Sequence, residues 1–411
     1  MKSNRPRALL AWLLVLVALL SPAVADAQQE LVLWHAYRGE EKAALEAVVA
    51  QYNTANVSRG VKVTTLAVPY DAFADRITAA VPRGKGPDLF IYAQDRLGGW
   101  IEAGNTVEPV DFFLDDATRA RFLKTTMEAM TYRGSVYGLP LNFKVITMIY
   151  NKKLVSKPPA TTAELVATTR KLTDARTGRF GLAYWYADFY YHAILMNGFG
   201  GGVFDAQRRP TLNSAANIRS LELLMKWFDK DKILPAEPST ALITSLFNDG
   251  RAAIVFSGPW FLGEIAKSVD FGLALLPTID EAGGQPMRPW MTVEGVYIAA
   301  PSQHKDAAYD LVRYLTDMPA ARTMALRGRQ TPSNIKVYED PQVAVDPMLQ
   351  AFRKQVEVAV PMPNLAEMTM VWSPATTAMN TIVNKSATPK AAMDAAQAKV
   401  ALDIRRLRGG K

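Results

Sequence analysis

Tyr92, Asp95, Arg96 and Trp100 follow one another in a short stretch, placing two rings, a carboxylate and a guanidinium at the end of the apolar run Pro87-Asp88-Leu89-Phe90-Ile91-Tyr92. Similar company recurs downstream. Tyr184-Trp185-Tyr186 and Tyr190-Tyr191 surround Asp188, Trp260 follows Gly258-Pro259, and Trp372 precedes a helix predicted to begin near Pro374. Flat aromatic faces beside carboxylate and guanidinium groups suit a sugar, whose ring faces are apolar C–H surface and whose edges are hydroxyls. A hydrogen bond to a charged group contributes roughly 1.5–3 kcal/mol, so a few are enough for useful affinity. Taken singly, each ring reads equally well as core.

Other chemistries find less support. The chain has no cysteine, which excludes disulfides, thiolate metal sites and cysteine nucleophiles. Its histidines, His35, His192 and His304, lie far apart and in no metal-ligand spacing. Gly84-Lys85-Gly86 lacks the Ser or Thr that a phosphate loop places after lysine, and Gly198-Phe199-Gly200-Gly201-Gly202 follows a helix where a nucleotide motif would follow a strand. No Gly-x-Ser-x-Gly elbow or His-Glu-x-x-His pair occurs. A carbohydrate-active hydrolase stays open only because any two of the many carboxylates can face each other across a bond. The reading is a binding protein without metal or cofactor.

The elements that must hold these groups alternate between strand and helix. Leu31–Trp34, Val61–Val68 and Pro87–Tyr92 read as strands, with helices over Glu40–Tyr52 and from a capping Asp71 to Val81. Further strands are predicted at Val145–Tyr150, Phe180–Tyr184, Ala252–Phe256, Phe271–Leu275 and Val293–Ala299. Helices are predicted at Thr162–Thr173, Ala215–Asp229, Ala241–Asn248, Pro259–Lys267, Lys305–Thr316 and Pro319–Leu326, and the tail beyond about Pro341 reads as helical without strands. Such alternation implies an α/β fold on mostly parallel sheet. No low-complexity linker interrupts it, so two lobes would be joined by several short crossings.

Lys2, Arg5 and Arg7, the apolar Ala8–Leu20 and Ala25-Asp26-Ala27 form a cleavable export signal, with cleavage after Ala27 or, second, after Ala25. Its apolar run is well short of the roughly 20 residues that span a bilayer. Its removal lowers the formal charge from +8 to +6, and the remaining chain is long enough for two domains. The one dense basic run, Arg405-Arg406-Leu407-Arg408 with Lys411, suits a helix C-terminus better than a nucleic-acid surface.

The segments Leu31-Val32-Leu33-Trp34, Gly86-Pro87-Asp88, Asp95-Arg96-Leu97-Gly98-Gly99, Ile149-Tyr150-Asn151-Lys152, Phe247-Asn248-Asp249-Gly250, Ser257-Gly258-Pro259-Trp260, Leu276-Pro277-Thr278 and Met362-Pro363-Asn364 with Trp372 resemble, in the same order, the maltose/maltodextrin-binding proteins among the extracellular solute-binding proteins of bacterial ABC importers. The resemblance implies two α/β lobes with an interlobe ligand cleft and a hinge, spanning 28–142 plus 294–340 and 147–290 plus 345–408. It implies a periplasmic monomer that delivers an oligosaccharide to a membrane permease. Tyr92, Asp95 and Arg96 would supply a ring, an acceptor and a donor from the first lobe. Asp188 and Tyr190 would take the places of a cleft glutamate and a stacking tyrosine, Trp260 and Trp372 those of two tryptophans under sugar rings, and Met362 that of an apolar cleft residue. The sequence departs from the family at Tyr37-Arg38-Gly39, where an Asp-Lys pair is expected, at Lys144 for a glutamate and at Thr376 for an arginine. Arg38 and Lys144 therefore open a second reading, a sugar phosphate or another anionic ligand in the same fold.

Overall fold

A computed structural model describes residues 29–409; the export signal expected over 1–27 lies outside the described residues. In chain order the elements that build the site are β1 (Gln29–His35), α1 (Gly39–Ala55), β2 (Val61–Ala67), α2 (Tyr70–Ala80), β3 (Leu89–Ala93), α3 (Leu97–Ala103), β4 (Gly138–Lys144), β5 (Thr147–Asn151) and β6 (Phe180–Ala183). They continue with α4 (Phe189–Gly198), β7 (Ala252–Ser257), α5 (Pro259–Leu262), β8 (Phe271–Ala274), β9 (Trp290–Ile298), β10 (Val360–Pro361), α6 (Trp372–Val383) and α7 (Pro389–Gly409). Among the described residues no helix is long and apolar enough to cross a membrane.

Two sheets organise two α/β lobes. The first is six-stranded in the order β10-β9-β3-β1-β2, with β4 also pairing β9; the second is four-stranded in the order β8-β5-β7-β6. The opening βαβαβ unit is parallel as the alternation implies, β1 pairing β2 and β3. The second sheet corrects the expectation of mostly parallel pairing. Its strands β8/β5 and β5/β7 are antiparallel, and only β6/β7 is parallel. Hydrophobic periodicity identifies a strand but carries no direction. Only the buried pair Val145-Ile146 separates β4 from β5, so the chain passes from the first sheet to the second within two residues.

The second sheet is apolar on both faces. Met148, Ile254 and Leu182 pack into one buried cluster with α4, while Ile149, Val255 and Ala183, which pair in register, join the other. Side chains alternate between faces, so this division follows from the strand period.

Several local readings change. The second helix starts at Tyr70 after Pro69, leaving Asp71 within its first turn and not at the cap. The helix expected over Pro259–Lys267 stops at Leu262 because Asn248 captures the next turn. The Asn248 amide donates to the Glu264 carbonyl at 2.9 Å, and its oxygen accepts from Ala266 N at 2.8 Å. Beyond Ala215–Met225 the helix widens into a π-turn over Lys226–Lys230. A short strand, β10, does follow Pro341, pairing in parallel with Trp290 and Met291. The last helix near the site begins at Trp372 itself.

Close packing joins α3 to the segment before α6. Gly98 N donates to the Asn364 carbonyl at 3.0 Å, and a Cβ at Gly98 would lie 2.4 Å from Ala366 N and 2.5 Å from Asn364 O. Gly98→Ala is therefore expected to destabilise by about 1–3 kcal/mol through overpacking, measured by urea unfolding. Gly263→Ala, where the added methyl meets nothing within 4 Å, should unfold like the parent; equal behaviour of the two variants would refute the close-approach argument.

Candidate binding cleft

A run of rings connects the two sheets. Trp260 opens α5 after β7, and its indole Nε1 donates to the Tyr191 hydroxyl at 3.2 Å. A Cβ on Gly258 would fall 2.1 Å from Trp260 Cζ3, so the absence of a side chain there lets the indole lie against the strand end. The Trp260 ring is 6.2 Å from Tyr190, Tyr190 is 6.0 Å from Trp290, and Trp290 meets Trp372 edge-on at 5.8 Å. Trp372 Nε1 then donates to Asp95 Oδ2 at 3.1 Å, and Arg96 Nε lies 3.3 Å from the same oxygen. The series thus passes from the C-terminal end of β7 to the turn after β3, where open α/β sheets take ligands. Tyr190, Trp260 and Trp372 are only partly buried. Trp290 is buried on β9 and holds Tyr190 and Trp372 apart.

Asp188 is the N-cap of α4, its Oδ1 accepting from Tyr190 N at 2.9 Å and Tyr191 N at 3.4 Å. The cap fixes the start of the helix and with it the direction of Tyr190. The Tyr190 hydroxyl accepts from Thr292 Oγ1 at 3.1 Å, a bond that joins α4 to β9. Burial pushes the carboxyl of Asp188 up to about 6, against the two backbone N–H groups that favour its charged form. Asp95 is likewise pushed up to about 6 by burial, opposed by Arg96 and the Trp372 indole.

The remaining expected site residues divide by their surroundings. Met362 is buried; its N–H donates to Met291 O at 3.0 Å and its carbonyl accepts from Gln94 Nε2 at 3.1 Å. Tyr92 is 6 % exposed and stacked on both Phe73 and Tyr70, so its ring belongs largely to the core. Trp100, Tyr184 and Tyr186 are core as well. Arg38 reaches across to Glu264 at 2.8 Å. Lys144 is largely buried between Glu41 at 3.3 Å and Glu294 at 3.0 Å, and lies over the Tyr37 ring. Both cations that motivated an anionic ligand therefore have carboxylate partners. Thr376 is exposed on α6.

Sequence reasoning missed Trp290, Thr292 and Glu294, because all three lie on a strand whose nine residues are all buried. Periodicity reads such a run as core. Only their pairing with residues about a hundred or more positions away, Tyr190 and Tyr37, reveals a role.

The Asp95 carboxyl has a folded-state pKa above its ordinary value of 3.8, so its charge opposes folding above about pH 6. That cost fades as pH falls from about 6 toward 3.8, and it is gone well below 3.8, where the group is neutral in both states. Asp95→Asn, which keeps an acceptor for Trp372, is expected to raise the calorimetric Tm at pH 7.5, with the gain shrinking toward pH 4. A lower Tm at pH 7.5 would mean that the charged contact to Arg96 outweighs burial.

The family of bacterial extracellular solute-binding proteins matches residues 36–322. The chain is 32 % identical over 350 residues to a maltotriose-binding protein of Pyrococcus abyssi, covering 84 % of this chain and 75 % of that protein. It is 26 % identical over 335 residues to a maltooligosaccharide ABC transporter solute-binding lipoprotein of Streptococcus pneumoniae, covering 77 % and 76 %. The solved maltose/maltodextrin-binding domain from Bdellovibrio bacteriovorus, bound to maltotriose, superposes with a TM-score of 0.84 at 26 % identity, over 92 % of this chain and all of that one. With the two-sheet fold and the ring series that joins the sheets, these matches place the chain among the bacterial extracellular solute-binding proteins, the family to which it belongs.

Proposed function

We propose that the chain captures a maltooligosaccharide between its two lobes and delivers it to the membrane permease of an ABC importer. The observation that carries this reading is the ring series Trp260, Tyr190, Trp290 and Trp372 ending on Asp95. Its members Tyr190, Trp260 and Trp372 are partly open, and ionisable acceptors stand at Asp95 and Asp188. A chain of pyranose units presents a matching succession of apolar faces and hydroxyl edges. Tyr190, Trp260 and Trp372 stack on the sugar, Asp95, Arg96 and Asp188 bind hydroxyls, and Met362 lines the apolar wall. Tyr92 supports this wall from beneath. Arg38 and Lys144 act within their ion pairs and shape the cleft without meeting an anion.

The lobes are 28–142 with 294–340 and 147–290 with 345–408, closing on ligand about the crossings at 143–146, 291–293 and 341–344. Ligand favours the closed form only by its better contacts there. The protein is exported by its cleaved leader and works in the periplasm as a monomer. It performs no chemistry on the sugar. The similarity to proteins named for maltotriose and maltooligosaccharides supports this choice of ligand.

Isothermal titration against maltose through maltotetraose, galactooligosaccharides and phosphorylated sugars tests the proposal. Maltooligosaccharides should bind tightly and come off unchanged. Binding of phosphorylated sugars alone would overturn it in favour of the anionic reading, and sustained hydrolysis dependent on Asp95 or Asp188 would overturn it in favour of an enzyme. Trp260→Ala and Trp372→Ala should each weaken maltotriose binding by about tenfold or more with little change in Tm. A large fall in Tm with intact binding would mean that these rings are core.

A further inference from the structure

The aromatic stack at the end of the first sheet has an open outer member. Phe73 is fully buried, and Tyr92 lies almost parallel to it, with centroids 5.0 Å apart and planes inclined by 4°. Tyr70 stacks on Tyr92 at 5.3 Å and 27°, yet is 56 % exposed, against 6 % for Tyr92. Tyr70 opens α2 directly after β2, at the same C-terminal edge of the sheet as Tyr92 and Asp95. Its hydroxyl lies close to Tyr92 and to the carboxylates of Asp95 and Glu294. A ring with much open surface thus stands beside the buried carboxylates Asp95 and Glu294 at the C-terminal edge of the sheet.

We infer that Tyr70, with Tyr92 as its support, is the aromatic platform of the first lobe and binds an end unit of the oligosaccharide. This inference rests on the ligand class proposed above and names the residue that reads its length. Tyr92 occupies the place where the sequence suggests a stacking ring, but it is packed against Phe73 and Tyr70. The outward position has passed to Tyr70. Stacking on the Tyr92 ring holds Tyr70 in place before ligand arrives. A pre-ordered ring adds contact area with little loss of rotamer freedom on binding. Tyr70 makes its ring contact with Tyr92 and stands outside the series from Trp260 to Trp372, so a sugar seated on those rings reaches it only by extending past the Asp95 contact. The platform therefore acts on longer sugars and not on the shortest one bound.

The test titrates maltose, maltotriose and maltotetraose into the parent, Tyr70→Ala and Tyr70→Phe, with Tm recorded for each. Tyr70→Ala is expected to weaken the longest sugar by about three- to tenfold, the range that one aromatic contact contributes. It should leave the shortest bound sugar within about twofold of the parent. Tyr70→Phe keeps the ring and should bind all lengths as the parent does. Equal affinities for the parent and Tyr70→Ala at every length overturn the assignment, as does a Tyr70→Phe loss as large as that of Tyr70→Ala. If the parent itself binds no maltooligosaccharide, the ligand class is wrong and this assignment falls with it; the parent titration separates that failure from one of Tyr70 alone.

Discussion

The ladder made by Trp290–Ile298 holds the molecule together. This strand is antiparallel to β3 on one side and to β4 on the other, and its first two residues also pair with Val360-Pro361. All nine of its residues are buried. Each of these pairings joins segments far apart in sequence, so the first sheet closes only when the chain has returned from the second. The same strand carries Trp290 between two rings of the cleft and Thr292 to the Tyr190 hydroxyl. Backbone ladder and ring series are therefore fixed by one piece of chain.

That strand also carries a charge into the interior. Glu294 accepts the Tyr37 hydroxyl at 2.8 Å and pairs with Lys144, which Glu41 holds from the other side. The Asn142 amide donates to the Tyr37 hydroxyl, completing the network. Removing one partner of such a buried group leaves the others uncompensated, typically at a cost of 3–5 kcal/mol. The departure at Lys144 is thus coupled to Glu41, Tyr37 and Glu294, and cannot be understood as a single exchange of an acceptor for a donor. The carboxylates at Asp95 and Asp188 differ. Neighbouring N–H groups hold each of them, but burial still raises their proton affinity, which leaves them ready to accept further donors.

Much of the architecture was legible because it rests on short-range pattern. Leu31–Trp34, Ala252–Phe256 and the helix over Thr162–Leu172 occur where apolar runs and periodicity place them. Strand direction was not legible, since it depends on which distant strands β5 meets, and β7 and β8 both run against it. Nor was the end of the helix after Pro259, which depends on Asn248 arriving from a different element. At the cleft, Trp260, Tyr190, Trp372 and Asp95 form the connected series that the sequence could only offer as separate rings and a carboxylate. Tyr92, Arg38 and Lys144 show the converse: their residue types suit a ligand, but Phe73, Glu264, Glu41 and Glu294 already engage them.

Gly258 gives the cleft an unusual point of control. The indole of Trp260 occupies the space that any side chain at position 258 would need, so the tilt of that ring is set by main chain at the end of a buried strand. A ligand cannot push the ring back on that side, and the wall there is stiff. Even the smallest side chain at position 258 would displace the indole. A single methyl group at a buried position would thus re-aim an aromatic ring two residues further along the chain.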